Sequence, residues 1–327
     1  MRARLLPPLA AFLIALAVAH PAPSTSAQEP PVPAYLALGD SLAFGVGAEN
    51  PAAQGYVGLV AFELEQTQEY AETGLDVVNV SVPGATSGDL LEEGGQLDQA
   101  LEAIEEREET EGLAAVDLIT ISVGANDLLA LGEPESDCFV DPLGDPCQEA
   151  LAATLAGLNE NLAHVLTTLR AAAPLAEVYV LDVYNPYSGT DDPLEIVASV
   201  GVQQINGVIT AVAADPTYRS ELVSVFELFQ GRGNQLIASD GIHPNNDGYL
   251  VMAEAVLSTI QDRPFVFPPD ISPVPSGSVS PTPVDNGGDS GVDAVVFWIT
   301  LPLAFAAGVV LTGAYFLMRG RRGLGPS

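Results

Sequence analysis

The sequence predicts an α/β domain built on a parallel sheet of about five strands, with helices covering both faces. Three observations predict it. Between residues 32 and 262, short runs rich in Val, Ile and Tyr alternate with longer stretches of helical spacing. The short runs are apolar almost throughout, as strands covered on both faces are, rather than at every second position. No repeat of roughly 20–50 residues is evident, which excludes a solenoid.

The elements follow in order. VPAYLAL, residues 32–38, reads as the first strand and runs straight into Gly39-Asp40-Ser41. GYVGLVAFELEQT (55–67) has helical spacing, and LDVVNVSV (75–82) is a second strand. A helix over 86–109 is interrupted near Gly94 and Gly95, where two glycines weaken the pattern. VDLITISV (116–123) is the third strand, followed after a cysteine-bearing loop by a long amphipathic helix over 148–173. EVYVLDVY (177–184), a helix over 193–214, a weaker fifth strand ELVSVFEL (221–228) and a helix over 246–261 complete the domain.

Both ends of the 327-residue chain fall outside this pattern. Residues 1–27 have Arg2 and Arg4 ahead of an apolar run and then small residues, the layout of a secretory signal peptide. An uncleaved N-terminal anchor is the alternative, against which the shortness of the run counts. Residues 28–263 are the folded domain. Residues 264–292, dominated by Pro, Ser and Gly, read as a stalk. Residues 293–318 hold the charge-free run Ala294–Met318, long enough to cross a bilayer. Arg319, Arg321 and Arg322 in the tail 319–327 set the cytoplasmic side. The expectation is an exported domain on the outer face of the cell membrane, held by a single C-terminal helix.

Composition excludes several functions. The net charge is −33 and there is no lysine, so neither a nucleic-acid footprint nor a phosphate-binding Walker lysine can form, and Schiff-base chemistry is absent. With two cysteines a thiolate metal site is disfavoured, and no metal is expected. In an oxidising compartment Cys138 and Cys147 pair to close the loop CFVDPLGDPC; two free thiols are the alternative.

Ligands of open α/β sheets gather at the carboxyl ends of strands, so the segments there carry the functional reading. The first strand ends in LGDSLAFG, where Ser41 is either an exposed hydroxyl among backbone N–H groups or a helix cap. The second ends in SVPGATSGD, where Gly84 lets the backbone approach a ligand, or Thr86 or Ser87 caps a helix. The third ends in SVGANDLL, where Asn126 offers a side-chain amide and Asp127 suits a helix start. The fourth segment, SDGIHPNNDGY, is the specific one. Asp-Gly-x-His-Pro arises by chance in on the order of one chain in a thousand. Its spacing lets Asp240 hold the His243 ring in one tautomer while the other nitrogen faces a substrate. His20 lies in or beside the signal segment, and His164 reads as a partly buried helix residue.

These four segments, in this order, resemble the SGNH (GDSL) esterases and lipases over residues 34–262. Gly39-Asp40-Ser41-Leu42, Gly84, Gly124-Ala125-Asn126-Asp127 and Asp240-Gly241-Ile242-His243-Pro244 match the family's blocks without departure at Ser41, Gly84, Asn126 or His243. The resemblance implies a flavodoxin-like three-layer fold with a shallow, adaptable site. The Gly-x-Ser-x-Gly signature is absent, which disfavours the α/β-hydrolase fold. The chemistry then expected is ester hydrolysis through an acyl-Ser41 intermediate, with His243 as base, Asp240 as its orienter and Ser41, Gly84 and Asn126 as the oxyanion hole. It requires no cofactor. The substrate is a small-molecule or cell-envelope ester, and the other class of function is an inactive surface module that binds glycan or lipid. The cysteine loop, close after Asn126, is expected on the rim of the cleft.

Overall fold

The computed structural model describes residues 30–271 except 110–112, 134–135, 142–143, 193 and 270. The terminal segments expected as signal and membrane helix lie outside the described residues, and so does the stalk beyond Ile271. Among the described residues, no helix is long and apolar enough to cross a membrane.

Five strands form one sheet: β1 (Val32–Gly39), β2 (Asp76–Asn79), β3 (Leu113–Ser122), β4 (Glu177–Leu181) and β5 (Ser220–Val223). Every neighbouring pair is parallel, and the order is β2-β1-β3-β4-β5. This is the doubly wound, flavodoxin-like arrangement. The helices, in chain order, are α1 (Ser41–Phe44), α2 (Pro51–Gln54), α3 (Tyr56–Glu65), α4 (Gln96–Glu109), α5 (Ala125–Leu129), α6 (Asp137–Val140), α7 (Asp145–Ala172), α8 (Glu195–Ala213), α9 (Phe226–Phe229), α10 (Gly233–Leu236) and α11 (Asn246–Ile260). Short 3₁₀ turns occupy Asp89–Leu91 and Ala130–Gly132.

Alternation along β1 divides the core. Ala34, Leu36 and Leu38 point to one face, where they meet Leu97, Ala100 and Ile104 of α4 and Leu158, Leu162, Val165 and Leu169 of α7. Ile205 and Ile209 of α8 join that layer. Tyr35 and Ala37 point to the other face, against Tyr56, Val60 and Leu64 of α3 and Val251, Met252 and Val256 of α11. Because both sides of β1 are covered, its apolar run is continuous.

The structure departs from the sequence reading at several points. The fifth strand stops at Val223, and Phe226–Phe229 curls into α9 because Asp182 accepts the Val225 and Phe226 N–H groups at 2.6 and 2.8 Å. The helix expected over 86–109 begins only at Gln96, after a 3₁₀ turn and the left-handed Gly94. His164 of α7 is exposed rather than partly buried. The segment after residue 263 stays on the domain: Phe265 and Phe267 pack on the α3/α11 core, and Ile271 is buried there. A stalk can therefore begin only beyond Ile271.

Candidate active site

The strand order reverses between β1 and β3, so the segments leaving their carboxyl ends diverge and open a crevice. The turn after β1 is dictated by Gly39. Its φ is +138°, and a Cβ there would lie 2.1 Å from the Ser122 carbonyl oxygen of β3. That carbonyl accepts the Asp40 N–H at 3.0 Å, pulling the chain into the turn. Asp40 then caps α1, its Oδ1 accepting the Leu42 N–H at 2.9 Å. Asp40 is only 1 % exposed, and burial pushes its carboxyl up to about 7, with the nearby Asp127 charge adding to the shift.

Ser41 is the first residue of α1, and its Oγ lies 2.9 Å from Nε2 of His243. Nδ1 of the same ring is 2.7 Å from Asp240 Oδ2. Asp240 Oδ1 accepts the N–H groups of Ile242 and His243 at 2.9 and 3.0 Å, so one carboxylate shapes the loop and orients the ring. Burial opposes its ionisation, but the bonds from Ile242 and His243 outweigh that and hold the carboxyl below its usual range. The loop is anchored from both sides. Tyr184, stacked on Phe229, donates to the Ile242 carbonyl at 2.8 Å. Asn245 caps α11 through the Gly248 N–H, and Tyr249 reaches the Val46 carbonyl at 2.7 Å.

The other wall comes from the segments after β2 and β3. Gly84 has a φ of +86°, and a Cβ there would meet nothing within 4 Å, so the backbone conformation rather than crowding requires glycine. Asn126, near the start of α5, donates one amide hydrogen to the Ala85 carbonyl at 2.9 Å, which fixes the amide and leaves its second hydrogen for a ligand. Asp127 does not merely begin a helix: its carboxylate accepts the Ser87 N–H and hydroxyl at 2.9 and 2.5 Å, and Asn161 donates to the same hydroxyl at 3.0 Å. The Gly84 and Asn126 segments are thereby tied together. Ser41, Gly84, Asn126 and His243 all line one cavity.

That cavity has a volume of about 530 Å³. Its lining includes the buried Val183, Val202 and Ile205 as well as the 39 % exposed Leu129. Cys138 of α6 and Cys147 of α7 are joined as a disulfide. Together with Leu131 and Leu151 they form a small apolar cluster under Leu128 of α5 and Val200 of α8. Among the described residues none from 133 to 147 lines the cavity. The two cysteines therefore back Leu128, which itself lines the cavity. No cluster of His, Cys, Asp and Glu able to hold a metal occurs among the described residues.

Three further groups support the site without having been singled out in the sequence: Gln96, Tyr184 and Tyr249. Each acts on residues 57 to 203 positions away, and no local pattern marks them. Chemically, the arrangement offers a hydroxyl in contact with an oriented imidazole, on a cavity that Gly84 and Asn126 also line.

Residues 37–251 match the GDSL-like lipase/acylhydrolase family. The chain is 26 % identical to the spore germination lipase LipC of Bacillus licheniformis over 225 residues, covering 67 % of this chain and 92 % of that one. It is 27 % identical to the uncharacterized protein YpmR of Bacillus subtilis over 233 residues, covering 69 % of this chain and 80 % of the other. Among solved structures, a lipase from the goat rumen metagenome superimposes with a TM-score of 0.52 at 22 % identity, covering 69 % of this chain and 97 % of that one. That last likeness concerns the fold.

Proposed function

Because this chain belongs to the GDSL-like lipase/acylhydrolase family and is a carboxylic ester hydrolase, we propose that Ser41 is its nucleophile, His243 its general base and Asp240 the orienter of the imidazole. The observation that carries the assignment is the unbroken relay from Ser41 Oγ to His243 at 2.9 Å and from His243 to Asp240 at 2.7 Å. Both distances lie in the range for proton transfer.

In this reading His243 Nε2 takes the hydroxyl proton as Ser41 Oγ attacks the ester carbonyl carbon. The carbonyl oxygen becomes an oxyanion facing the Ser41 and Gly84 N–H groups and the free amide hydrogen of Asn126. Collapse breaks the bond to the alkoxy oxygen, and His243 returns the proton so that the alcohol leaves. Water then attacks acyl-Ser41, again losing its proton to His243, and the carboxylic acid and free serine result. Asp240 stays ionised and favours the imidazolium that forms at each step. Asp40 is a brace of the turn and does not touch the reacting atoms.

The domain is further proposed to work outside the cytoplasm, exported by residues 1–27 and tethered through 293–318. The charge-free run Ala294–Met318 followed by three arginines supports this, as does the Cys138–Cys147 disulfide, which suits an oxidising compartment. Fractionation of cells, with protease added from outside, tests the orientation.

The catalytic assignment is tested with the full-length protein beside its Ser41→Ala variant on p-nitrophenyl esters from acetate to palmitate. Turnover that depends on Ser41, with an acyl adduct on the peptide containing it, is expected. Equal turnover by the variant overturns the assignment. An inactive binding module would hydrolyse none of the esters.

A further inference from the structure

Beyond the reacting groups, the wall of the cavity is mostly apolar, with Asp40, Tyr184 and Tyr187 as its other polar-bearing members. Leu128 and Leu129 of α5 face Ala198, Val202 and Ile205 of α8 across it. At about 530 Å³ the space is within the range of roughly 300–1,000 Å³ that encloses a whole ligand and far larger than an acetyl group needs. A sugar would bury hydroxyls without side-chain partners against the α5 and α8 part of this wall, which is unfavourable. An anionic group would fare no better. The five arginines of the domain are Arg107, Arg170, Arg219, Arg232 and Arg263, and none lines the cavity.

The catalytic geometry also gives the cavity a direction. The leaving oxygen must sit beside His243 Nε2, which donates the proton to it. The His243 and Asp240 side chains are 23 % and 45 % exposed, so that side opens to solvent. The apolar side runs the other way, past Asn126 and along α5 and α8, where Val202 and Ile205 are buried and Leu129 is 39 % exposed.

We infer that the enzyme is selective for esters of uncharged, medium- to long-chain acyl groups, and that the acyl chain lies between α5 and α8 with Ala198 and Gly132 controlling its length. The inference rests on the assignment of Ser41 as nucleophile. Ala198 and Gly201 are the small residues of the α8 wall, and of the two Ala198 already carries a Cβ from which a longer side chain can be built. Gly132 also lines the cavity, and a Cβ added there would meet nothing within 4 Å, so a larger side chain can enter the space.

The test measures kcat/KM of the full-length protein on p-nitrophenyl acetate, butyrate and octanoate, and on ethyl and octyl acetate. Burial of each added methylene predicts a rise of up to about fourfold along the acyl series. Octyl acetate should be no better than ethyl acetate. Ala198→Phe and Gly132→Leu should each lower the octanoate-to-butyrate ratio at least tenfold. A flat or falling acyl series in an active enzyme overturns the inference, as does a preference carried by the alcohol chain. So does an unchanged ratio in both folded variants. Calorimetric titration of Ser41→Ala with 1-octanol separates the two readings. Octanol that binds, and is lost in the Ser41→Ala/Ala198→Phe double variant, while the parent protein hydrolyses no ester, overturns the catalytic assignment and retains the aliphatic receptor. Chain-independent hydrolysis without octanol binding overturns the receptor alone.

Discussion

Gln96, at the start of α4, closes a two-bonded clasp on the backbone of Gly39: its Oε1 accepts the Gly39 N–H and its Nε2 donates to the Gly39 carbonyl, both at 2.8 Å. The side chain is 2 % exposed, and the glycine it holds begins the turn that presents Ser41. The Gly39 carbonyl also accepts the Val82 N–H at 3.0 Å, so the clasp joins the Ser41 turn to the segment leading to Gly84.

Gln96→Ala should therefore orphan the Gly39 N–H while leaving its carbonyl with one donor. A buried unpaired donor costs about 1–3 kcal/mol, and the lost side chain adds a cavity term. Urea denaturation is expected to show a loss in that range. Because the turn and the Gly84 segment lose their common tie, kcat should fall more than KM changes. A stability loss with unchanged kcat would make Gln96 a core residue only.

Asp40 gives the pH dependence of stability a sign opposite to that of most carboxylates. Burial raises its folded value to about 7, well above that of the unfolded chain. Between these two values the folded state holds a proton that the unfolded state has released, so stability falls as pH rises through that interval. Asp240, held low, behaves in the usual way and contributes stability that is lost only as pH falls through its depressed value. Asp40→Asn keeps an acceptor for the Leu42 N–H and removes the charge. It should raise the denaturation midpoint at pH 8, change it little below pH 4, and flatten the difference between. A midpoint at pH 8 no higher than the parent's would mean that Asp40 is ionised at no cost.

The sheet and the long helices were legible because their patterns repeat over many residues. In α7, Leu158, Leu162, Val165 and Leu169 mark one face, and β1 is apolar across its length. Helices of four residues such as α6 and α9 were not, since a single turn carries too little periodicity to register. The fifth strand was drawn too long for that reason: Phe226 and Phe229 suit a strand or a turn of helix, and Asp182, far earlier in the chain, decides between them. The four site segments were legible because each sits in its own turn. Gln96 was not, because a polar residue at a helix start reads as solvated until its partner Gly39 is seen.

Asn126→Ala removes one of the proposed oxyanion donors and also releases the Ala85 carbonyl it bonds at 2.9 Å. Loss of a single such donor costs about 10²–10³ in kcat. Asn126→Ala should fall in that range with KM changed little, because the donor acts chiefly on the developing charge. Ser87→Ala separates the two roles. It removes the hydroxyl bond to Asp127 and so weakens the tie between the Gly84 and Asn126 segments, while the Ser87 N–H bond to the same carboxylate and the Asn126 amide stay in place. A drop of about tenfold or less is expected there, accompanied by lower stability. Equal losses in both variants would show that segment position, not the amide, carries the effect.

The Cys138–Cys147 bond joins α6 to the first turn of α7 beneath Leu128, so its removal should act locally and reach the cavity wall. Closing a loop this short restricts the unfolded chain by about 2–3 kcal/mol in the entropic account. Paired Cys→Ser substitution buries two hydroxyls in an apolar cluster with Leu131 and Leu151, which adds to the loss. The relay of Ser41, His243 and Asp240 is built from other elements and should survive. Selectivity should not: with Leu128 and Leu129 less firmly backed, discrimination between octanoate and butyrate should narrow, while Ser41-dependent turnover persists. Hydrogen exchange restricted to residues 125–151 would locate the loosening there. Reduction that leaves both the denaturation midpoint and the chain-length profile unchanged would show that α5 is held by its contacts with α7 and α8 alone.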